Sequence, residues 1–282
     1  MRAATGAEPL TWEAIEGAGY GRNTSRWRVE LADGRPAFVK AALDDLAAGW
    51  LRQEHRVYSG VTAPFMPELV GWHDDGSTVL VIEDLGDAVW PPPWTQERID
   101  AVLHTFELVR ATVPPPGLPL LVDLRQGLDG WPAIAAEPDP FLATGVCSSS
   151  WLERALPRLA EASASCPLAG GELLHLDVRS DNLCFRDGAV KLVDWNHACV
   201  GNGLLDLVAW LPSLRLEGGP EPWELVADSR GLASLIAGFF AARAGLPPPP
   251  TAPTVRDFQR RQAAVALPWA ARELGLLPPS AP

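Results

Sequence analysis

At 282 residues, with 47% hydrophobic and 21% charged side chains, the chain has ordinary globular composition and the length of one large domain or two modest ones, which excludes an intrinsically disordered protein. A net charge of −12 argues against a nucleic-acid-binding surface, and no apolar run approaches the ~18 residues that a membrane span needs. The charge is unevenly spread: residues 1–89 and 90–199 each carry 14 acids against 8 bases, whereas residues 200–282 are balanced at seven of each.

The opening stretch MRAATGAEPLTWEAIEG lacks the apolar centre of a signal peptide. GAGYGRNTSRWRV (17–29) then sets Gly17, Gly19 and Gly21 just ahead of a strand. Glycines there let backbone amides approach a polyphosphate closely, although a flexible turn would use them equally well. Arg22 stands where the third glycine of Gly-x-Gly-x-x-Gly would be. The strand patterns TSRWRVEL (24–31) and PAFVKAAL (36–43) flank Ala-Asp-Gly-Arg, a hairpin signal.

Lys40 ends the apolar run Ala-Phe-Val of that second strand. The chain holds 21 Arg and only two Lys, Lys40 and Lys191. Where arginine serves almost everywhere, a lysine suggests a need for a compact point charge. The helical segment 44–60 follows, with Leu43, Ala47, Trp50, Leu51, Val57 and Tyr58 on one stripe. Glu54 shares that stripe. An inward carboxylate is rarely left alone, and Lys40 is its most economical partner, as a structural ion pair or as part of a site. Strand-like LVGWH (69–73) and TVLVIEDL (78–85) come next. Glu83, near the end of the latter, meets a connector at about 84–94 that ends in Trp-Pro-Pro-Pro-Trp.

Beyond this first proline cluster the pattern is mainly helical, at 95–112, 131–145, 150–165, 204–215, 223–244 and 254–274. Cys147, Cys166, Cys184 and Cys199 lie far apart without a Cys-x-x-Cys pair, as expected of reduced thiols in a cytoplasmic protein. The layout predicts an α+β, bilobal protein: a small β-rich lobe over residues 1–86 with one key helix, and a larger, mainly helical lobe over residues 87–282.

The exception to the helical pattern is LLHLDVRSDNLCFRDGAVKLVDWNHA (173–198). It places His175, Asp177 and Asn182 within eight residues, then two short strands joined by Arg-Asp-Gly, then Asp194. Burying carboxylates is expensive without a metal, a phosphate or a proton transfer to justify it. His-x-Asp-x-x-x-x-Asn followed by a hairpin and an Asp suits phosphoryl transfer. There an Asp orients or accepts the acceptor's hydroxyl proton, and an Asn and a later Asp hold Mg²⁺ on the nucleotide phosphates.

Taken with the glycine loop, Lys40 and Glu54, these motifs resemble the aminoglycoside phosphotransferase family, a small-molecule branch of the protein-kinase-like fold, over residues 17–240. The resemblance implies ATP or GTP and Mg²⁺ as cofactors and a small hydroxyl-bearing molecule as substrate, with no nucleic-acid or membrane partner. It implies that Gly19 and Gly21 cover the nucleotide, that Lys40 holds its α/β-phosphates while paired with Glu54, and that Glu83 also binds the nucleotide. Asp177 would be the catalytic base, and Asn182 and Asp194 the metal ligands. His175 and Asp206, the latter in GNGLLDLVAW (201–210), would brace the catalytic loop. Leu176 replaces the family's usual glycine between His and Asp. Arg179 stands two residues past the base, able to touch the transferring phosphoryl group or to face solvent.

Only eleven residues separate Asp194 from Asp206, which leaves no room for a protein kinase's activation segment. A non-catalytic nucleotide-binding pseudokinase would have lost one of Lys40, Asp177, Asn182 and Asp194, and all four are present. The acceptor stays open between an aminoglycoside- or macrolide-type antibiotic and a metabolic sugar, nucleoside or amino alcohol. Trp131, Trp151, Trp210, Trp223 and Trp269 are candidates to flank it, with core packing as the competing reading.

Overall fold

The computed structural model describes residues 2–15, 23–250 and 252–280. A short helix α1 (Arg2–Thr5) leads into β1 (Pro9–Ala14), β2 (Thr24–Leu31), β3 (Pro36–Ala42), helix α2 (Asp45–Gly60), β4 (Leu69–Asp74) and β5 (Thr78–Glu83). The five strands form one antiparallel sheet in the order β1-β2-β3-β5-β4. Period-two alternation sends Val29, Leu31, Ala37, Val39 and Val81 to the outer face as a small apolar cluster. On the inner side, α2 inserts Leu51, Val57 and Tyr58 into the main core together with Leu80 and Ile82 of β5. Asp44 caps α2 by accepting from Ala47 N at 2.8 Å.

The helical lobe starts with α3 (Gln96–Ala111) and the short helices α4 (Arg125–Leu128), α5 (Trp131–Ala136) and α6 (Asp139–Leu142), followed by α7 (Ser149–Ser165). Strands β6 (Glu172–Leu174) and β9 (Cys199–Gly201) pair with each other, and they bracket the hairpin β7 (Leu183–Arg186)–β8 (Ala189–Leu192). Helices α8 (Leu204–Leu216), α9 (Pro222–Leu225), α10 (Arg230–Ala244) and α11 (Val255–Glu273) complete the lobe. The backbone of α10 passes directly over the Trp131 indole at Gly238, where a Cβ would collide with the ring. Among the described residues no helix is long and apolar enough to cross a membrane.

The architecture is the expected α+β bilobal one, with informative departures. Strand β1 is an edge strand whose side chains are mostly exposed on both faces, although its sequence alternates Leu10, Trp12 and Ala14 with Thr11 and Glu13. The segment 131–145 is two helices, because Pro138 and Pro140 lack the amide hydrogens a continuous helix needs. The segment 223–244 is broken at Val226–Ser229, where Asp228 takes φ 54°. Leu43, expected on the inward stripe of α2, is 62% exposed because it precedes the helix cap.

The tryptophans require a larger correction. Trp131, Trp210 and Trp269 are fully buried, and Trp151 nearly so. Trp131 Nε1 donates to Ser234 O at 2.9 Å, and Trp151 Nε1 donates to Leu277 O at 2.9 Å. Trp223 lies under the Arg272 guanidinium, 4.6 Å from it. These rings pack the helical lobe, and none of the five lines the cleft between the lobes.

Candidate active site

A cleft of about 680 Å³ separates the sheet from the β6–β9 region, large enough for a small-molecule ligand. Its ceiling comes from β2, β3, the head of the connector and α2, and its floor from the two loops flanking the β7–β8 hairpin. Lys40 reaches in from β3 and Glu54 from the inward face of α2. Both are nearly inaccessible, and Lys40 Nζ donates to Glu54 Oε2 at 2.8 Å. Lys40 also pairs with the Asp194 carboxylate on the floor, so one ammonium ties both lobes together. Burial lowers its pKa, and the Glu54 carboxylate opposes that shift.

The floor is held by backbone hydrogen bonds. Val193 N donates to Asn182 O at 2.9 Å, which sets the residue before Asp194 against the end of the loop that carries Asp177 and Asn182. Asp194 adopts φ 65°, a left-handed conformation that Asp tolerates better than most residues. The following turn anchors on Trp195, fully buried, whose Nε1 donates to Leu192 O at 3.0 Å.

His175 is fully buried, 4.5 Å from the Trp195 ring. Its ring bonds Val193 O at 2.7 Å through Nε2 and receives Asp177 N at 3.3 Å on Nδ1. A carbonyl only accepts, so Nε2 carries the hydrogen and the ring is neutral. Burial pushes its pKa down to about 3, consistent with that tautomer. Asp206, on α8, accepts from His175 N and Leu176 N, each at 2.7 Å. Leu176, between His175 and Asp177, takes φ 65°. His175 and Asp206 thus fix the backbone that carries Asp177.

Asp177 and Asn182 meet across this loop. Asn182 Nδ2 donates to Asp177 O at 2.8 Å and Oδ2 at 3.0 Å. Burial raises the Asp177 pKa, against the nearby Arg179 charge. Arg179 does not face solvent: its Nε lies 3.3 Å from Asp177 Oδ1, its Nη2 donates to Asp181 at 3.2 Å, and its guanidinium sits 5.7 Å from the Phe258 ring of α11.

Asn182 spends its amide hydrogens on Asp177, and among the described residues no donor reaches its Oδ1. That oxygen and the Asp194 carboxylate form a hard, oxygen-only donor pair on one cleft. Such a pair suits Mg²⁺, which takes one or two protein ligands and completes its shell with water and phosphate oxygens. Among the described residues no cluster of three or more His, Cys, Asp or Glu offers a closed all-protein metal site.

Glu83 also lines the cleft. Its carboxylate accepts from Glu68 N at 3.1 Å and pairs with Arg186 at 3.2 Å and Lys191 at 4.0 Å, so it anchors the connector to the β7–β8 hairpin. Gly17, Gly19 and Gly21 lie outside the described residues. Sequence reasoning missed the cleft residues Arg26, Arg28, Trp50, Trp90, Asn196 and His197. The signal for the two arginines was present in TSRWRVEL, whose alternation puts Arg26 and Arg28 on one face.

No protein-family model matches the sequence, and no curated protein matches it by sequence. Similarity appears at the level of structure. An aminoglycoside phosphotransferase crystallised with ADP and hygromycin B superposes with a TM-score of 0.56 at 14% identity, over 96% of this chain and 94% of that one. A choline/ethanolamine kinase family protein from Mesorhizobium loti gives 0.59 at 14% identity, over 94% and 91%. An amicoumacin kinase in complex with AMP-PNP, Ca²⁺ and its antibiotic gives 0.58 at 9% identity, over 93% and 90%. The chain has the bilobal, protein-kinase-like fold that these phosphotransferases and kinases share.

Proposed function

We propose that the protein is a small-molecule kinase, transferring the γ-phosphoryl group of ATP or GTP to a hydroxyl of a small acceptor. The observation that carries this reading is convergence: Lys40 of β3, Glu54 of α2, Asp177 and Asn182 of one loop and Asp194 of another come from four separate segments and meet on one cleft. A pseudokinase would have no need of the complete set. Structures sharing the fold include proteins described as acting on antibiotics and on choline or ethanolamine, some of them with ADP or AMP-PNP bound.

In this reading Lys40, positioned by Glu54, holds the nucleotide phosphates. Asn182 Oδ1 and the Asp194 carboxylate would hold Mg²⁺, which when bound supplies charge neutralisation at the phosphate oxygens. Asp177 orients the acceptor hydroxyl and takes its proton. As the new bond from the acceptor oxygen to the γ-phosphorus forms, the bond to the β–γ bridging oxygen breaks, and the nucleoside diphosphate leaves. His175 and Asp206 keep the Asp177 backbone in place throughout.

In this reading the acceptor lies against Asp177, Arg179, Asp181, Asn196 and His197 of the cleft lining, with Phe258 beside Arg179. That lining offers polar groups of both signs, which suits a hydroxyl-rich antibiotic or amino alcohol. The deciding experiment supplies Mg·ATP or Mg·GTP with panels of aminoglycosides, macrolides, amino sugars, nucleosides and amino alcohols. Mass spectrometry then looks for the gain of one phosphoryl group on an acceptor. Nucleotide binding with no transfer to any acceptor, and no slow hydrolysis, would favour the pseudokinase.

A further inference from the structure

We infer that Glu217 is a positioning residue for phosphoryl transfer, holding the loop that carries Asp177 from its downstream side through Ser180; the inference rests on the kinase reading above. Ser180 lines the cleft three residues past Asp177, and its Oγ donates to Glu217 Oε1 at 2.6 Å. The other carboxylate oxygen of Glu217 accepts from Trp94 Nε1 at 2.7 Å. Trp94 closes the connector, and its ring meets Phe185 of β7 edge-on at 6.4 Å and Trp210 of α8 at 5.4 Å. One carboxylate therefore joins the end of the connector to the loop that carries the proposed base.

Local helix energetics do not explain a carboxylate at this position. Glu217 is the C-cap of α8, where the negative end of the helix dipole disfavours an anion. The helix end is completed without the side chain: Gly218 takes φ 91°, and Gly219 N donates to Leu214 O at 2.9 Å. Arg215, the basic residue of the last turn, is turned to Glu221 at 2.8 Å. What the charge serves is the pair of short bonds from Trp94 and Ser180. Both partners are donors, so an acceptor-only carboxylate satisfies them together, one on each oxygen.

Helix α8 thus grips the loop at both ends. From its first turn Asp206 accepts from His175 N and Leu176 N, upstream of Asp177. From its C-cap Glu217 takes the Ser180 hydroxyl, downstream. Both anchors are carboxylates on one rigid element, and Asp177 lies between the two points they fix. The anchors differ in what they hold. Releasing Asp206 would strand backbone amides in the interior, whereas releasing Glu217 frees a serine hydroxyl at the cleft and an indole N–H. Loss of Glu217 therefore leaves the fold in place and loosens Asp177 against the nucleotide.

The test follows hydrolysis of Mg·ATP, with water as the acceptor, in wild type, Glu217→Gln, Ser180→Ala and the double variant. Glu217→Gln keeps the side chain's size and replaces one accepting oxygen by an amide donor. It should lower kcat about tenfold, less than the ~10²-fold that an ångström of misplacement can cost, and leave KM for Mg·ATP close to the wild-type value. Ser180→Ala should do the same, and the double variant should lose no more than either single one, because both break the same bond. In Glu217→Gln, amide hydrogen exchange should quicken across residues 175–182 and stay unchanged in α7 and α10. Wild-type kcat in Glu217→Gln overturns the inference, as does unchanged exchange across 175–182 or a double variant whose losses multiply. A change in KM as large as that in kcat, the sign of a purely structural role, overturns it too. Where hydrolysis is too slow to follow, exchange alone decides. If Glu217→Gln does not fold, Ser180→Ala carries the test, and wild-type kcat and exchange in it overturn the inference. Wild type that binds no Mg·ATP overturns the kinase reading itself, and the role of Glu217 with it.

Discussion

Leu176 occupies a left-handed conformation that costs a leucine about 1–2 kcal/mol relative to glycine, and Asp206 holds it there through two 2.7 Å backbone bonds. What this arrangement positions is Asp177, one residue on. Asp177→Asn should leave nucleotide affinity nearly unchanged while turnover falls by at least about 10², the usual scale of a general base; near-normal turnover would remove Asp177 from that role. The bracing pair itself predicts an unusual pH profile. His175, with its pKa pushed down to about 3, stays neutral in the fold, while an unfolded chain protonates it below about 6.5. Its stability contribution is therefore lost as pH falls from that value toward 3. Asp206, pushed up to about 7 by burial, binds a proton in the fold that an unfolded chain releases above about 3.9. Its contribution is present at low pH and is lost as pH rises toward 7. Each slope approaches about 1.4 kcal/mol per pH unit, and across roughly pH 4–6.5 they oppose each other. Asp206→Asn should unmask the histidine slope, with Tm dropping more steeply than wild type between pH 6.5 and 4.5. Parallel melting profiles for the two proteins would refute the pairing.

At the scale of elements, strand β3 and helix α2 were legible from an apolar run followed by a helical stripe. The scarcity of lysine singled out Lys40 at the end of the run, a 3.6-residue stripe placed Glu54 inward, and the two meet at 2.8 Å. Lys40→Arg should impair transfer although the charge is kept, because a longer planar guanidinium beside Arg26 must displace Glu54, Asp194 or the strand. Misplacement on the ångström scale can cost about 10²-fold, so kcat/KM for nucleotide should fall steeply while thermal melting shows an intact fold. A variant with wild-type kcat/KM would return Lys40 to the status of a structural ion pair. Other elements were illegible for definable reasons. Strand β1 carries only a short alternation, Leu10-Thr11-Trp12-Glu13-Ala14, and buries neither face. Of the two readings open for the five tryptophans, core packing holds for Trp131, Trp151, Trp210 and Trp269, and which of them a neighbouring helix covers is a tertiary fact that no local period encodes. Arg26 and Arg28 were visible as an alternation, but the pairing of Arg26 with Lys40 depended on the β2–β3 register.

Across the whole molecule, the two lobes are linked at several points around the cleft. Arg186 Nη1 donates to Asp84 O at 2.7 Å, Gln53 Nε2 donates to Ala198 O at 2.8 Å, and Lys40 pairs with Asp194. A ligand that touches ceiling and floor adds a further link, and it binds the folded chain only. At about 100 times its Kd such a ligand adds about 2.7 kcal/mol of stability. With an unfolding entropy of about 2 cal/mol/K per residue, that corresponds to a rise in Tm of about 4–5 °C for a chain of this length. The floor carries the proposed metal ligands and the ceiling the cations, so the increment should have two separable parts. Nucleotide with EDTA retains the part due to Lys40 and its neighbours, and adding Mg²⁺ restores the rest. Asp194→Ala should abolish the Mg²⁺-dependent part while keeping the other, because a carboxylate is the stronger of the two proposed ligands for a hard cation. Asn182→Ala should reduce that part less. Differential scanning fluorimetry of wild type and both variants, with nucleotide in Mg²⁺ or EDTA, measures each term. An Asp194→Ala protein that keeps the full Mg²⁺-dependent rise would show that the metal is held somewhere other than on this floor.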